Sequence, residues 1–157
     1  MADAGVDPAS FAFRARALAQ AHALSAAAHR LVNRAVAEEA RTQPRPEMGA
    51  WAGAALTQGY CLRRVQEGDD PVVVADVADE ALDRAATAHA AQLRTSAADD
   101  LTVAALDLLV GSQVEHRLEP WRDELDDDTW VELEQYLTWW VVKGYGLRMA
   151  ETSGRAP

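Results

Sequence analysis

The architecture follows from residues 8–41, PASFAFRARALAQAHALSAAAHRLVNRAVAEEAR, in which no glycine or proline comes after Pro8. Asp7 precedes this stretch. An Asp–Pro pair favours a helix start because the carboxylate accepts a free backbone N–H, while proline at the first position gives up no hydrogen bond. Positions that alternate by four and three residues then share one side: Phe11, Ala15, Leu18, His22, Ser25, His29, Val32 and Val36. This spacing predicts one continuous helix, roughly 50 Å long at about 1.5 Å per residue.

The rest of the chain carries the signals of further helices joined by short connections. Prolines at positions 44, 46 and 71 mark the ends and starts of these helices, and apolar residues recur every three or four positions between the prolines. The predicted helices are 47–67, 71–95, 97–119 and 130–150, with a short helical turn at 120–126. We therefore expect an all-α protein, an antiparallel four- to five-helix bundle with one long N-terminal helix, in a single domain over residues 1–157.

Composition narrows the classes of partner and location. The net charge is −10, with +2 in residues 1–46 and −12 in residues 47–157. Nucleic acid is not an expected partner, because phosphate binding needs a concentrated basic face. No apolar run is long enough for a bilayer and no leader pattern is present, so we expect no membrane partner and a cytoplasmic location. The single Cys61 agrees with a reducing compartment, and the excess of alanine and arginine over lysine is typical of a GC-rich bacterial genome.

A basic row lies along the long predicted helix, where Arg16, Arg30, Arg34 and Arg41 fall in one narrow sector. Two interpretations are open. The row meets the acidic face of another helix in the same or a second subunit, or it binds an anionic ligand. We favour the first, because the helix predicted at 71–95 has an acidic outer face.

Polar residues interrupt the seams of the predicted helices: Ser25, His29, Gln58 and Ser112. Antiparallel packing would place His22 at the level of Glu115 and His116, and a carboxylate with two imidazoles is a candidate site for a divalent metal. His22 and His29 cannot share one ion, because a spacing of seven residues separates them by about 10.5 Å along the helix axis. We expect no cofactor and assign no catalytic residue, and a divalent metal remains the alternative.

The length of the first predicted helix favours self-association. It exceeds the height of the shared bundle, so its first turns need cover from another segment or from a second subunit. The last predicted helix is apolar nearly all round, as is typical of a helix buried on every side. The interface candidates on these two helices are Phe11, Phe13, Leu18, Trp139, Trp140 and Tyr145. We expect a homodimer. Gly144 leaves open a close helix contact or a helix end.

Two functions of different classes are compatible with these features. The leading hypothesis is a non-enzymatic, self-associating helical bundle that acts through protein–protein contacts as an interaction, scaffold or regulatory component. The alternative is a bundle that binds a metal or a small ligand at a His/Glu polar site in its core.

Overall fold

The computed structural model describes residues 7–68, 77–95 and 100–153, and within them the chain forms helices and no strand. This confirms the all-α class. The elements are α1 (Pro8–Gln20), α2 (Ala26–Thr42), α3 (Met48–Glu67), α4 (Asp79–Thr95), α5 (Asp100–Arg117), a 3₁₀ helix (Glu119–Glu124) and α6 (Asp127–Ser153). The starts predicted at residues 71 and 97 lie outside the described residues. No helix in the described ranges has both the length and the apolarity needed to cross a membrane.

The prediction of one continuous helix over 8–41 is wrong, because residues 21–25 separate α1 from α2. His22 has a φ of 55°, in the left-handed region through which a right-handed helix cannot continue. Ser25 then begins α2 by accepting a hydrogen bond from the Ala28 N–H at 3.0 Å. The N-terminal stretch therefore forms two helices, and the longest helix in the described residues is α6.

Aspartate side chains start the first and the last helix. Asp7 accepts the Ser10 N–H at 2.8 Å, as the sequence predicts. Asp126 accepts the Thr129 N–H at 2.7 Å, and this bond holds the pKa of the Asp126 carboxyl below its usual value. Because Asp126 caps the helix, α6 begins at Asp127, three residues before the predicted start at residue 130.

The centre of the bundle is the crossing of α3 and α6, where glycines allow close contact. A Cβ added at Gly144 would lie 1.9 Å from the carbonyl oxygen of Leu56, and one at Gly59 would lie 1.8 Å from that of Val141. Gly146 faces α4, where an added Cβ would lie 2.6 Å from a backbone oxygen. Of the two possibilities for Gly144, the structure has the close helix contact, and α6 continues through it.

The aromatic residues of α6 belong to this core. Trp140 and Tyr145 are 7% and 4% exposed, because α6 packs against α3 on one side and α4 on another. Trp139 is partly buried against the same cluster. This corrects the expectation that the aromatic face of α6 meets a second subunit, since contacts within the chain already cover it.

The three apolar candidates on α1 differ in exposure. Phe11 is buried, and Leu18 packs against the main core. Phe13 lies outside the core and is 65% exposed. Because the break at 21–25 lets α1 fold back against α3 and α5, the expected overhang is replaced by a covered helix with one exposed aromatic side chain.

Candidate functional site

The three candidate metal ligands lie far apart along the bundle. His22 is exposed in the break, where the neighbouring Ala23 carbonyl accepts a hydrogen bond from Arg64 near the end of α3. The end of α3 is bonded to the start of α5, while the start of α1 lies beside the middle of α5. α1 and α5 therefore run in opposite directions. Glu115 and His116 are exposed near the far end of α5, at the opposite end of this helix pair from His22.

Residues 7–68, 77–95 and 100–153 contain no group of three or more His, Cys, Asp and Glu side chains that could hold a metal ion. The sequence alternative of a divalent metal held by His22, Glu115 and His116 therefore has no geometric support. The heights assigned to these residues assumed a straight first helix, and the break in that helix changes them.

The polar seam residues are dispersed as well. His29 is exposed on α2. Gln58 is partly buried on α3, and its side-chain oxygen makes no hydrogen bond within the described part of the chain. The carbonyl oxygen of Ser112 lies 2.8 Å from Nδ1 of His116. Ser25 alone joins a larger polar group.

That group is a buried polar cluster at the break, centred on Glu151 of α6, which is 0% exposed. The Glu151 carboxylate accepts hydrogen bonds from Ser25 Oγ at 2.5 Å, from the Tyr60 hydroxyl at 2.5 Å and from the Arg148 guanidinium at 3.1 Å. The Ser25 N–H also donates to the Tyr60 oxygen at 3.4 Å. One carboxylate thus ties the start of α2 to both central helices.

A second carboxylate, that of Glu67, also contacts the arginine of the cluster. Arg148 is 5% exposed, and its Nε donates to Glu67 at 2.9 Å while a terminal nitrogen donates to the Tyr60 oxygen at 2.9 Å. Burial lowers the pKa of Arg148, but Tyr60 and the two carboxylates together raise it by more. The net pKa is above the usual value, so the guanidinium stays charged. Burial and the bond to Glu151 raise the pKa of Tyr60, which keeps its proton and donates it.

This arrangement suits a structural role better than a catalytic one. A serine beside a carboxylate becomes a nucleophile when the carboxylate can take its proton. Here Glu151 already accepts three hydrogen bonds, and Ser25 Oγ also accepts the Ala28 N–H that caps α2. Polar groups that satisfy one another in this way stabilise a unique arrangement of the chain.

Sequence reasoning named Ser25 but missed its partners. Arg148 and Glu151 stand three residues apart near the end of a helix that is apolar nearly all round. A charged pair at this spacing faces one side of a helix, and on a buried helix it predicts an internal ion pair. The partner Tyr60 has no comparable local signal, because it comes from a different helix.

Two arginines of the predicted basic row contact acidic side chains of α4. For these two, the prediction that the row meets the acidic face of another helix is confirmed. Arg30 donates two hydrogen bonds to Asp79 at 2.9 and 3.0 Å, and Arg34 lies 3.9 Å from an oxygen of Asp83. The bond from Arg30 holds the pKa of the Asp79 carboxyl below its usual value. Arg16 makes no ion pair within residues 7–68, 77–95 and 100–153.

An apolar surface remains uncovered on α1 and α5. A shallow depression of about 450 Å³ is lined by Asp7, Pro8, Ala9, Ala104, Asp107 and Leu108. Phe13 lies one helical turn beyond Ala9 on the same face of α1. Phe13 is 65% exposed and Leu108 is 44% exposed. We call the depression together with Phe13 the α1–α5 surface.

Comparison of the chain with protein-family models, with curated proteins and with solved structures found no match in any of the three.

Proposed function

We propose that this protein is a non-enzymatic, self-associating helical bundle that acts through protein–protein contacts and forms a homodimer through its α1–α5 surface. The observation that carries the proposal is the 65% exposure of Phe13 beside the apolar depression. Aromatic side chains are enriched at protein interfaces, and exposed apolar side chains that cluster on rigid elements mark interaction sites.

Charge complementarity favours a second copy of the chain as the partner. Arg16 stands three residues after Phe13 on the same face of α1, and Asp107 lines the depression on α5. Neither makes an ion pair within the described ranges. In a two-fold dimer one patch meets the same patch on the other copy. We propose the arrangement in which α1 of each protomer lies on α5 of its partner, because it brings unlike charges together. Arg16 and Asp107 then pair across the interface at its apolar centre.

We also propose that the protein is cytoplasmic and that its partner is a protein, not a nucleic acid. Cys61 supports a reducing compartment, since it is the one cysteine of the chain and lies fully buried. Burial raises the pKa of its thiol to about 11, so it behaves as an inert core residue. The net charge of −10 opposes binding to phosphate backbones.

Size-exclusion chromatography with light scattering tests the dimer over the micromolar range. We expect twice the chain mass of 17.0 kDa, and a dissociation constant at least about tenfold higher for Phe13→Glu. Burial of a phenylalanine side chain contributes roughly 1.5–3 kcal/mol, and about 1.4 kcal/mol corresponds to tenfold. Val131→Glu is the matched control, because Val131 is 47% exposed on α6, outside the α1–α5 surface.

A charge exchange identifies the partner surface. Arg16→Glu alone is expected to weaken the dimer, and adding Asp107→Arg is expected to restore it, because the pair then has the opposite polarity. A mass of 17.0 kDa at every concentration would overturn the proposal. If Phe13→Glu and Val131→Glu weakened the dimer equally, the α1–α5 surface would not be the dimer interface.

A further inference from the structure

A cleft of about 310 Å³ separates α2 from α4 and α6, and Arg34 of the predicted basic row is among the residues that line it. Its apolar walls include Leu31, Leu56, Trp140 and Leu147. The volume lies at the lower end of the range of small-molecule sites, about 300–1,000 Å³. The cleft therefore has room for a ligand of amino-acid size and too little for a nucleotide cofactor.

The cleft exists because α2 and α4 meet only at its rim. In the described residues the side-chain bonds between these helices are the ion pairs Arg30–Asp79 and Arg34–Asp83. The side chains beneath them are apolar and come from α2, α3, α4 and α6. An apolar floor with charged groups at the opening is typical of a site for a small amphipathic molecule.

One part of the cleft has an excess of positive charge. Lys143 lies 2.8 Å from Asp83, and Arg34 lies 3.9 Å from the same carboxylate. Two cations thus share one anion. The Lys143 side chain is only 14% exposed, and its ammonium lies 5.2 Å from the centre of the Trp140 ring. A ligand carboxylate placed between Arg34 and Lys143 would complete the charge balance.

The adjoining part of the cleft carries negative charge. Glu38 follows Arg34 by four residues, so it stands about one helical turn, ~5.4 Å, further along the same face of α2. Glu39 also lines the cleft; one of its carboxylate oxygens accepts bonds from Tyr136 at 2.7 Å and Gln43 at 3.0 Å. Its other oxygen accepts none from the described residues. Glu38 pairs with Arg41 at 3.2 Å, so this part of the cleft holds two carboxylates beside one cation and keeps an excess of negative charge for a ligand ammonium.

We propose that this cleft binds a free α-amino acid with an apolar side chain. Its carboxylate lies at Arg34 and Lys143, its ammonium lies at Glu38 and Glu39, and its side chain packs on Leu31 and the other apolar walls. The carboxylate and the ammonium of an α-amino acid are joined through one carbon, which suits charged groups one helical turn apart. The site is separate from the α1–α5 surface, so this proposal is independent of the dimer.

Titration calorimetry on the full chain tests the site with defined probes. L-leucine and L-phenylalanine are expected to give saturable binding of one molecule per chain. N-acetyl-L-leucine lacks the ammonium and L-leucinamide lacks the carboxylate, so each is expected to bind at least about tenfold more weakly than L-leucine. Glycine has both charged groups but no side chain to pack on the apolar walls, so it is expected to bind more weakly than L-leucine. No saturable binding of either amino acid, or equal binding of leucine and its two derivatives, would overturn the proposal.

Two variants locate the binding to this cleft. Arg34→Gln and Glu38→Gln each remove one charge from an exposed rim side chain, so the fold is expected to survive, as a circular-dichroism melt checks. Each is expected to weaken leucine binding about tenfold or more. Arg122→Gln is the matched control, because it removes the same kind of charge from the 3₁₀ helix, outside the cleft. Unchanged affinity in both cleft variants would place the ligand elsewhere and refute the assignment.

Discussion

Glu151 holds three segments of the chain together because its carboxylate is buried beside three donors. Ser25 comes from the start of α2, Tyr60 from α3 and Arg148 from α6 itself. A buried carboxylate without such donors would cost several kcal/mol, whereas one with a full set of partners restricts the chain to the arrangement that supplies them. The break between α1 and α2 is therefore stabilised by Glu151 as well as by residues 21–25 themselves.

Replacing this carboxylate by an amide measures its contribution. We expect Glu151→Gln to lower the free energy of unfolding by about 3 kcal/mol, because losing one partner of a buried ion pair costs about 3–5 kcal/mol and the amide oxygen keeps part of the bonding. Urea denaturation gives the value. Glu132→Gln, an exposed change on the same helix, is expected to stay within about 0.5 kcal/mol of the wild type. Equal stabilities of the two variants would contradict the role given to Glu151.

At the scale of elements, the packing of α6 on α3 depends on the absence of side chains at the crossing. Gly59 and Gly144 face the backbone of the opposite helix, and neither position has room for a methyl group. Close approach of the helix backbones then lets the surrounding side chains interdigitate. The second half of α6 is rich in apolar residues because it is buried against both α3 and α4.

A pair of glycine substitutions separates packing from helix propensity. Gly144→Ala is expected to destabilise the fold by about 2–3 kcal/mol, because the new Cβ would lie 1.9 Å from the carbonyl oxygen of Leu56 and the helices must move apart. Gly111→Ala meets nothing within 4 Å and is expected to stabilise α5 by about 0.5–1 kcal/mol. Thermal and urea unfolding of both variants measure the difference. A stabilised Gly144→Ala variant would show that the crossing tolerates a side chain.

At the scale of the whole molecule, the proposed dimer links stability to concentration. A partner that binds only the folded chain stabilises it by mass action, so we expect the unfolding midpoint of the wild type to rise with protein concentration. Phe13→Glu is expected to remove this dependence, while Val131→Glu should retain it. Calorimetric scans at several concentrations provide the measurement, and a midpoint independent of concentration in the wild type would count against self-association.

Local signals in the sequence were sufficient for the class of fold and for several element boundaries. The Asp7 cap and the bounds of α3 depend on residues near one another in sequence or on helical spacing. Such signals act through backbone hydrogen bonds and side chains within one turn, so they are visible in the chain order itself. The candidate site was less predictable, since Ser25 was recognised and its partners were not.

The chain order by itself specifies helices, their spacing and their capping, because these are short-range properties. The break at 21–25 has a single short-range signal, the Ser25 side chain that caps α2, while alanine-rich sequence on both sides favours helix and neither glycine nor proline intervenes. It exists because Tyr60, Arg64 and Glu151, distant in sequence, supply hydrogen bonds to the chain where it turns. The exposure of Phe13 and the burial of Trp140 have the same origin: helix packing, not residue type, determines which apolar side chains stay exposed.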